Sequence, residues 1–462
     1  MSEISSLGPG RDLDVWRAGR REARADAVQR TDNLVALWSA FLLIVMLLYV
    51  LIGHEPWNHE AVIDPATGAA PVSPFNRFIW LIFLAGSMPI LWFKKAELPD
   101  LVRRQWPLMV LFGWFVASSL WALDPDASRR RVFLYAVNLI VCFALVLGLR
   151  KDGRLHAAMA IACAILVFID LGSWIIAPGA SMTPLGLAAI HTHKNTLGAA
   201  MLLSGMVTAP YAYARPTAAG RIFWSAILLG SIVLLAASLS KTSLALLAVA
   251  LVLMPLVVML MKARAMIIGS TLFMMAALVA TVIFGWVAWS YATGADPVEP
   301  LTHITFTSRT DVWKFTISQA LTHPWRGLGF GSFWDINPAI QPDLKTDLWF
   351  AKPDAYTNES HNGYIDLWVT TGLIGLAGAL FMLGRWMVRG FALLRQALLA
   401  EPAQRERVGY LIYVTVFPLI FFIHNWMESS YFTANSIYGT IILLVGMDID
   451  QRFSGFKRPP LS

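Results

Sequence analysis

Residues 358–380, NESHNGYIDLWVTTGLIGLAGAL, place a histidine and an asparagine directly before an apolar run long enough to cross a bilayer. The run extends from Gly363 to about residue 384, so Glu359, Ser360, His361 and Asn362 crowd the point where a helix enters the membrane. The rest of the chain has the same character. Of its 462 residues 57% are hydrophobic and only 14% charged, and mean hydropathy is +0.60, outside the range of soluble domains. The composition is that of an integral membrane protein. Cys142 and Cys163 both fall inside apolar runs, which supports neither a disulfide framework nor a Cys-based metal site. The 19 tryptophans and the net charge of +7 fit aromatic belts and basic cytoplasmic loops, with no nucleic-acid partner.

Stretches of roughly 17 to 25 mainly apolar residues predict about twelve transmembrane helices: 34–53, 78–93, 107–123, 132–149, 155–177, 196–214, 222–239, 243–262, 265–289, 363–384, 408–424 and 434–449. The fold class is all-α and polytopic. Residues 1–33 are too long and too charged for a signal peptide, and no small-residue cleavage site follows, so the first span reads as a retained helix. Basic residues collect in this leader and in alternate gaps, at Lys94, Lys95, Arg103, Arg104, Arg150, Lys151, Arg154, Lys262, Arg264, Arg385, Arg389 and Arg395. The positive-inside rule makes these cytoplasmic and puts both termini inside. The chain then divides into a cytoplasmic basic segment (1–33), helices one to nine (34–289), a long outer loop (290–360), helices ten to twelve (361–449) and a cytoplasmic tail (450–462).

A connection as long as 290–360 is usually functional or disordered. Its stretch TSRTDVWKFTISQALTHPWRGLGFGSFWD argues for order: Ser308 and Asp311 have capping-box spacing, and Trp313, Ile317, Ala320 and Leu321 recur at helical spacing before His323-Pro324 and Gly327. A short amphipathic helix is expected there and irregular chain elsewhere. Several cations fall on the outer face against the positive-inside tendency: Arg129, Arg130, Arg131, Lys194, Lys241 and Arg309. Even-numbered helices start on that face, so their positive dipole ends point outward beside SRRR, HTHKNT, SKTS and SHNG. If these ends converge they form a phosphate-binding bowl. The plainer alternatives are snorkelling for Arg129, Arg130 and Arg131, capping for His191, His303 and His323, and packing for the loop aromatics. His193 stands between these readings, whereas the short loop around Lys241 and the crowding at His361 favour function.

SSLWALDPDASRRR, HTHKNTLG, SLSKTS, SRTDVWKFTISQALTHPWRGLGFGSFW and SHNGYIDLWVTTGLIG, in this order, resemble the bacterial O-antigen ligase and polymerase superfamily (Wzy/WaaL-like) from about residue 107 onward. HKN, GFGSFW and SHNGY are most similar to polymerases of the ExoQ type. The resemblance implies a GT-C-like glycosyltransferase acting at the periplasmic face of the inner membrane on an undecaprenyl-diphosphate-linked glycan, with polymerisation favoured and ligation to lipid A-core the alternative. Flippase and chain-length or export proteins are the implied partners, besides membrane lipid. The ligases' loop histidine falls on His361, their loop arginine on Arg309, and the arginine of their short outer loop on Lys241, a departure that keeps the charge without the bidentate fork. Arg309, Lys241 and helix N-termini would then stabilise the departing diphosphate with no metal and no cofactor, and His361, near an unperturbed pKa of ~6.5, would act as general base. Asn362 would orient sugar or imidazole, with His193, Lys194, Asn195 and Glu428 as neighbours. A secondary transporter is the reading from another class; it would need polar groups near the midplane, for which Asp170 is the one candidate.

Overall fold

A computed structural model describes residues 9–53, 55–59, 74–151, 153–263, 281, 309–352, 357–400, 404–432 and 436–454. Among these, nine helices are long and apolar enough to cross a membrane. The protein is a mainly helical, polytopic membrane protein.

The helices are α1 (Pro9–Ile52), α2 (Pro74–Phe93), α3 (Leu98–Arg104), α4 (Trp106–Ser118), α5 (Pro125–Gly148), α6 (Arg154–Ile176), α7 (Pro178–Ser181), α8 (Lys194–Ala214), α9 (Ala218–Ser238), α10 (Lys241–Lys262), α11 (Arg309–Ala320), α12 (Gly363–Leu399), α13 (Arg405–His424) and α14 (Ile437–Phe453). The sequence-predicted spans differ from these in four respects. The leader does not stand apart, because α1 runs unbroken from Pro9 into the first span. The third and last spans correspond to α4, of 13 residues, and α14, of 17 residues, which carries Asp448, Asp450 and Arg452; both fall short of the length of a full crossing. The span at 265–289 lies outside the described residues, as do Ser308 and His303. A two-stranded antiparallel ladder, Met182–Thr183 with Gly186–Leu187, interrupts the all-α pattern before α8.

Burial sorts the helices. Among the nine long spans α8 and α13 are the most enclosed, while α2 and α9 turn most of their surface outward; the shorter α14 is buried from Ile437 to Gln451. Exposed Trp92, Ile222 and Val388 would be costly in water and suit contact with lipid. α8 packs against α6, α9, α10 and α13. A Cβ at Gly198 of α8 would lie 2.6 Å from the Cβ of Ser240, so the missing side chain lets the N-termini of α8 and α10 lie side by side.

At the opposite ends of α12, α13 and α14, buried Asp450 accepts hydrogen bonds from Arg385 (3.3 Å), Arg389 and the Trp386 indole (3.2 Å). Buried Asp448 accepts from Tyr410 (2.6 Å) and Arg452. Arg385 and Arg389, whose charge reads as topogenic in the sequence, therefore also tie α12 to α14, and Tyr410 ties α13 to the same helix.

The long helix α12 is broken at Gly372, whose φ of 71° and ψ of 179° interrupt the hydrogen-bond ladder. Four of the backbone groups flanking the break are taken up by the loop segment HPWRGLGFG. The carbonyls of Val369 and Thr370 accept from the amides of Leu328 (2.9 Å) and Gly329 (2.8 Å), and the amides of Leu373 and Ile374 donate to the carbonyls of Pro324 (2.8 Å) and Trp325 (3.4 Å). The Trp114 indole takes the Thr371 carbonyl at 2.9 Å. The same segment is tied to the turn between α4 and α5 by the Leu123 amide on the Leu328 carbonyl (2.8 Å) and by Arg131, which donates to the carbonyls of Gly331, Trp334 and Asp335. Phe333, Trp334 and Phe350 then form a small core with Val312 and Ala320 of α11 and Val369 of α12. The expected loop helix is present, and of its expected stripe Ala320 is buried, but it is joined there by Val312 and Thr316, while Trp313 and Ile317 are half-buried and Leu321 is exposed.

A Cβ on Gly372 would sit 2.0 Å from the Trp325 carbonyl oxygen, whereas at Gly384 of the same helix nothing lies within 4 Å. Gly372→Ala should therefore lower stability by roughly 1–3 kcal/mol, and Gly384→Ala should stay within about 0.5 kcal/mol of wild type. Thermal unfolding in detergent, followed by tryptophan fluorescence, measures both. Equal midpoints for the two variants would contradict the docked break.

Candidate functional site

The entrance to α12 is built by capping. The Asn362 side-chain oxygen accepts from the amides of Tyr364 (3.1 Å) and Ile365 (3.2 Å), and its amide group donates to the Trp426 carbonyl at 3.4 Å. This is an N-cap that satisfies two orphan donors. The role given to Asn362 from sequence, orienting sugar or imidazole, is thus replaced by a structural one. On the other side the Ser360 amide donates to Asp366, which also receives the Trp334 indole (2.9 Å) and the Ser429 hydroxyl, while the Ser360 carbonyl accepts from the Trp313 indole of α11 (2.8 Å). Between these anchors His361 adopts a left-handed φ of 53°, uncommon for a residue with a side chain and held here from both flanks.

His361 Nδ1 lies 2.8 Å from Glu359 and 3.4 Å from Glu428. The other Glu428 oxygen accepts from Arg309 at 3.3 Å, and the same guanidinium donates to the Met427 carbonyl. Four charged groups from three segments thus form one chain. Burial disfavours the imidazolium, but hydrogen bonds and charge from Glu359 and Glu428 outweigh it and raise His361 to about 9. The imidazole expected from sequence to be largely neutral at neutral pH is instead held protonated. Burial pushes the Glu359 carboxyl up despite His361, whereas at Glu428 burial is overcome by His361 and Arg309, which hold its carboxyl below the usual range. The ligand atoms of Glu359, His361 and Glu428 lie within 4.8 Å of one another, so by residue type they can hold a divalent cation.

Two cavities meet here. The smaller, of about 240 Å³, is lined by Asn195 and Thr196 of α8, Lys241 to Ser243 of α10, Arg309 of α11, Ile437 and Tyr438 of α14, and by Glu359, Glu428, Ser429 and Ser436. Four helix N-termini therefore converge on it, each presenting a positive dipole end. Lys241 has no ion-pair partner among the described residues, which leaves its charge uncommitted. The larger cavity, of about 510 Å³, is walled by Phe330, Phe333, Trp334, Tyr431 and Phe432 with Arg131, Asp335, Asp366 and Glu359. Glu359, Ser429 and Ser436 belong to both walls.

The sequence-derived candidates separate accordingly. Lys241, Arg309, Asn195 and Glu428 share the smaller cavity; His361 lies behind it, reached through its two carboxylate partners. His193 caps α8 through Nδ1, which accepts from the Asn195 amide at 3.2 Å; burial and then the Lys194 charge lower its pKa, favouring the neutral ring that this bond requires. Lys194 donates to the Leu185 carbonyl at 3.0 Å. Arg129 and Arg130 are exposed and line neither cavity, Arg129 pairing with Asp126 at 3.3 Å, and Arg131 lines the larger cavity with its guanidinium committed to loop carbonyls. Asp170 is buried against His191 at 3.1 Å, a pair that leaves it unavailable as an open midplane site. Glu359 and the aromatic cavity were not singled out from sequence; the GFGSFW stretch and a carboxylate two residues before His361 were the available signals.

Comparison with known families finds that residues 226–380 match the model of Wzy_C, described as O-antigen ligase. The match spans most of α9, then α10, α11 and the first part of α12, and so contains Lys241, Arg309, Glu359 and His361. No curated protein matches the chain. The protein thus carries a domain similar to those of the O-antigen ligase superfamily within a multi-helix membrane fold.

A histidine raised in the folded state contributes stability in full below its unfolded pKa of ~6.5, and that contribution is lost as pH rises through about 9. Acylation of neutral imidazole by diethylpyrocarbonate, taken as the difference between wild type and His361→Ala, should show a midpoint near 9. In Glu359→Gln/Glu428→Gln the midpoint should fall to ~6.5 or below. A wild-type midpoint already near ~6.5 would contradict the proton-holding cluster.

Proposed function

We propose that the protein is a glycosyltransferase of the bacterial inner membrane. It moves a glycan from an undecaprenyl-diphosphate carrier to an acceptor hydroxyl at a site open to the periplasm, with both termini cytoplasmic and a GT-C-like architecture. The observation that carries this reading is the convergence of Lys241, Arg309 and four helix N-termini on a cavity that also holds two carboxylates. The description of the matched family favours the ligase alternative, transfer to lipid A-core, over the polymerisation preferred from sequence motifs. Flippase and export partners belong to the same proposal.

Transfer requires the acceptor oxygen to bond to the anomeric carbon while the bond from that carbon to the diphosphate breaks. Negative charge grows on the departing diphosphate, where Lys241 and backbone N–H groups can stabilise it in a site with little water. Positive charge grows on the sugar, and Glu359 and Glu428 lie on the same cavity wall to favour it. Arg309 and protonated His361 hold these carboxylates in place. Under this account the cations and helix ends make a metal ion unnecessary.

Purified protein supplied with a lipid-diphosphate oligosaccharide should glycosylate lipid A-core. Arg309→Ala and Lys241→Ala should each lower the rate about 10²–10³-fold, and Lys241→Arg should keep most activity. EDTA should leave the rate unchanged. Chain extension without lipid A-core modification would return the assignment to a polymerase, and loss in EDTA restored by Mg²⁺ would contradict the metal-free mechanism.

A further inference from the structure

We propose that the larger cavity is the acceptor subsite, shaped for a neutral polyhydroxylated glycan, and that Glu359, on the wall common to both cavities, takes the proton from the attacking hydroxyl. This rests on the glycosyl-transfer reading and adds to it where the second substrate binds and which group serves as base.

The two cavities differ in chemistry. The smaller gathers uncommitted positive charge, which suits an anion. The larger offers little of it: the Arg131 guanidinium is spent on the carbonyls of Gly331, Trp334 and Asp335, and the remaining charged side chains on its wall, Asp335, Glu359 and Asp366, are acidic. A diphosphate would be repelled there. Aromatic rings beside carboxylates and hydroxyls suit a sugar, whose C–H faces pack on rings while its hydroxyls donate to oxygen acceptors. At about 510 Å³ the cavity lies within the ~300–1,000 Å³ range of ligand pockets.

The shared wall fixes where the substrates meet. Among the described residues, the wall common to both cavities is Glu359, Ser429 and Ser436, so an acceptor in the larger cavity meets the donor beside them. Of the ionisable groups in the charged cluster, only Glu359 borders both spaces; Glu428 and Arg309 border the smaller one. Asp366 also faces the larger cavity, but it is occupied by the Ser360 amide, the Trp334 indole and the Ser429 hydroxyl. His361 lines neither cavity; 2.8 Å from Glu359, it steadies the carboxylate from behind. The step then balances. The acceptor oxygen forms the new bond to the anomeric carbon, the electron pair of the old bond leaves with the diphosphate, and the hydroxyl proton moves to the Glu359 carboxylate, from which solvent later removes it.

The test uses full-length protein in detergent or nanodiscs, with a lipid-diphosphate oligosaccharide as donor and either lipid A-core or a second lipid-linked oligosaccharide as acceptor. Leu134→Trp, on α5 in the wall of the larger cavity alone, should raise the acceptor KM at least about tenfold and leave undecaprenyl diphosphate affinity unchanged. Glu359→Gln should lower kcat about 10²–10⁴-fold with donor affinity retained. Reciprocal protection covers the case in which the tryptophan variant fails to fold. Asn358→Cys borders only the larger cavity and Thr242→Cys only the smaller, and the two native cysteines are buried. Acceptor should slow alkylation at position 358 and undecaprenyl diphosphate at position 242, each leaving the other unaffected. An active wild type with a fully active Glu359→Gln, or with both cysteines protected by the diphosphate alone, overturns this inference and leaves the glycosyl-transfer reading standing. A wild type that forms no product with either acceptor overturns both.

Discussion

The site depends on the exchange of hydrogen bonds between the break in α12 and the loop segment that docks into it. Opening a helix at Gly372 frees the carbonyls of Val369 and Thr370 and the amides of Leu373 and Ile374. Within an apolar environment each unpaired group would cost several kcal/mol, so the break persists only with a partner that satisfies all four. Residues 324–329 do so with two donors and two acceptors. Those residues directly follow α11, and the small core around Phe333 and Phe350 fixes α11 against α12. Arg309 at the start of α11 is thereby brought to Glu428, and through it to His361 at the start of α12.

The charged groups are arranged by role rather than pooled. Lys241 and the helix N-termini face the smaller cavity with no acidic partner on the lysine among the described residues, while Arg309 and His361 are committed to carboxylates. One wall can therefore favour a departing anion and the other a developing cation and a released proton. A neutral histidine with no acidic neighbours would serve as base itself. Two carboxylates against one imidazole move that capacity to the carboxylates, which is why the environment of His361 matters more than its residue type.

The membrane class, most spans and the existence of the loop helix were legible in the sequence, because apolar runs and helical spacing are local signals. Lys241 and Arg309, singled out because cations at outer helix starts violate the charge rule for membrane loops, do line one cavity together. What local patterns could not show was which neighbours would use up a side chain. Asn362 reads as a ligand until its oxygen is found capping α12. Arg131 reads like Arg129 and Arg130 until the loop carbonyls are seen around it. The burial of α11 follows from tertiary packing: Val369 and Phe350 take up Val312 beside the expected Ala320, in place of the larger Trp313 and Leu321 side chains. Glu359 was visible beside His361, but its place on two cavity walls arises only when α5, α12 and the turn after α13 come together.

The most direct measurement is an experimental structure of the protein in a lipid nanodisc with an undecaprenyl-diphosphate-linked oligosaccharide bound. The account places the diphosphate in the smaller cavity, against Lys241 and the first turns of α8 and α10, with the first sugar directed to Glu359. A diphosphate held anywhere other than this cavity, or seated with its sugar turned away from Glu359 and the larger cavity, would contradict it.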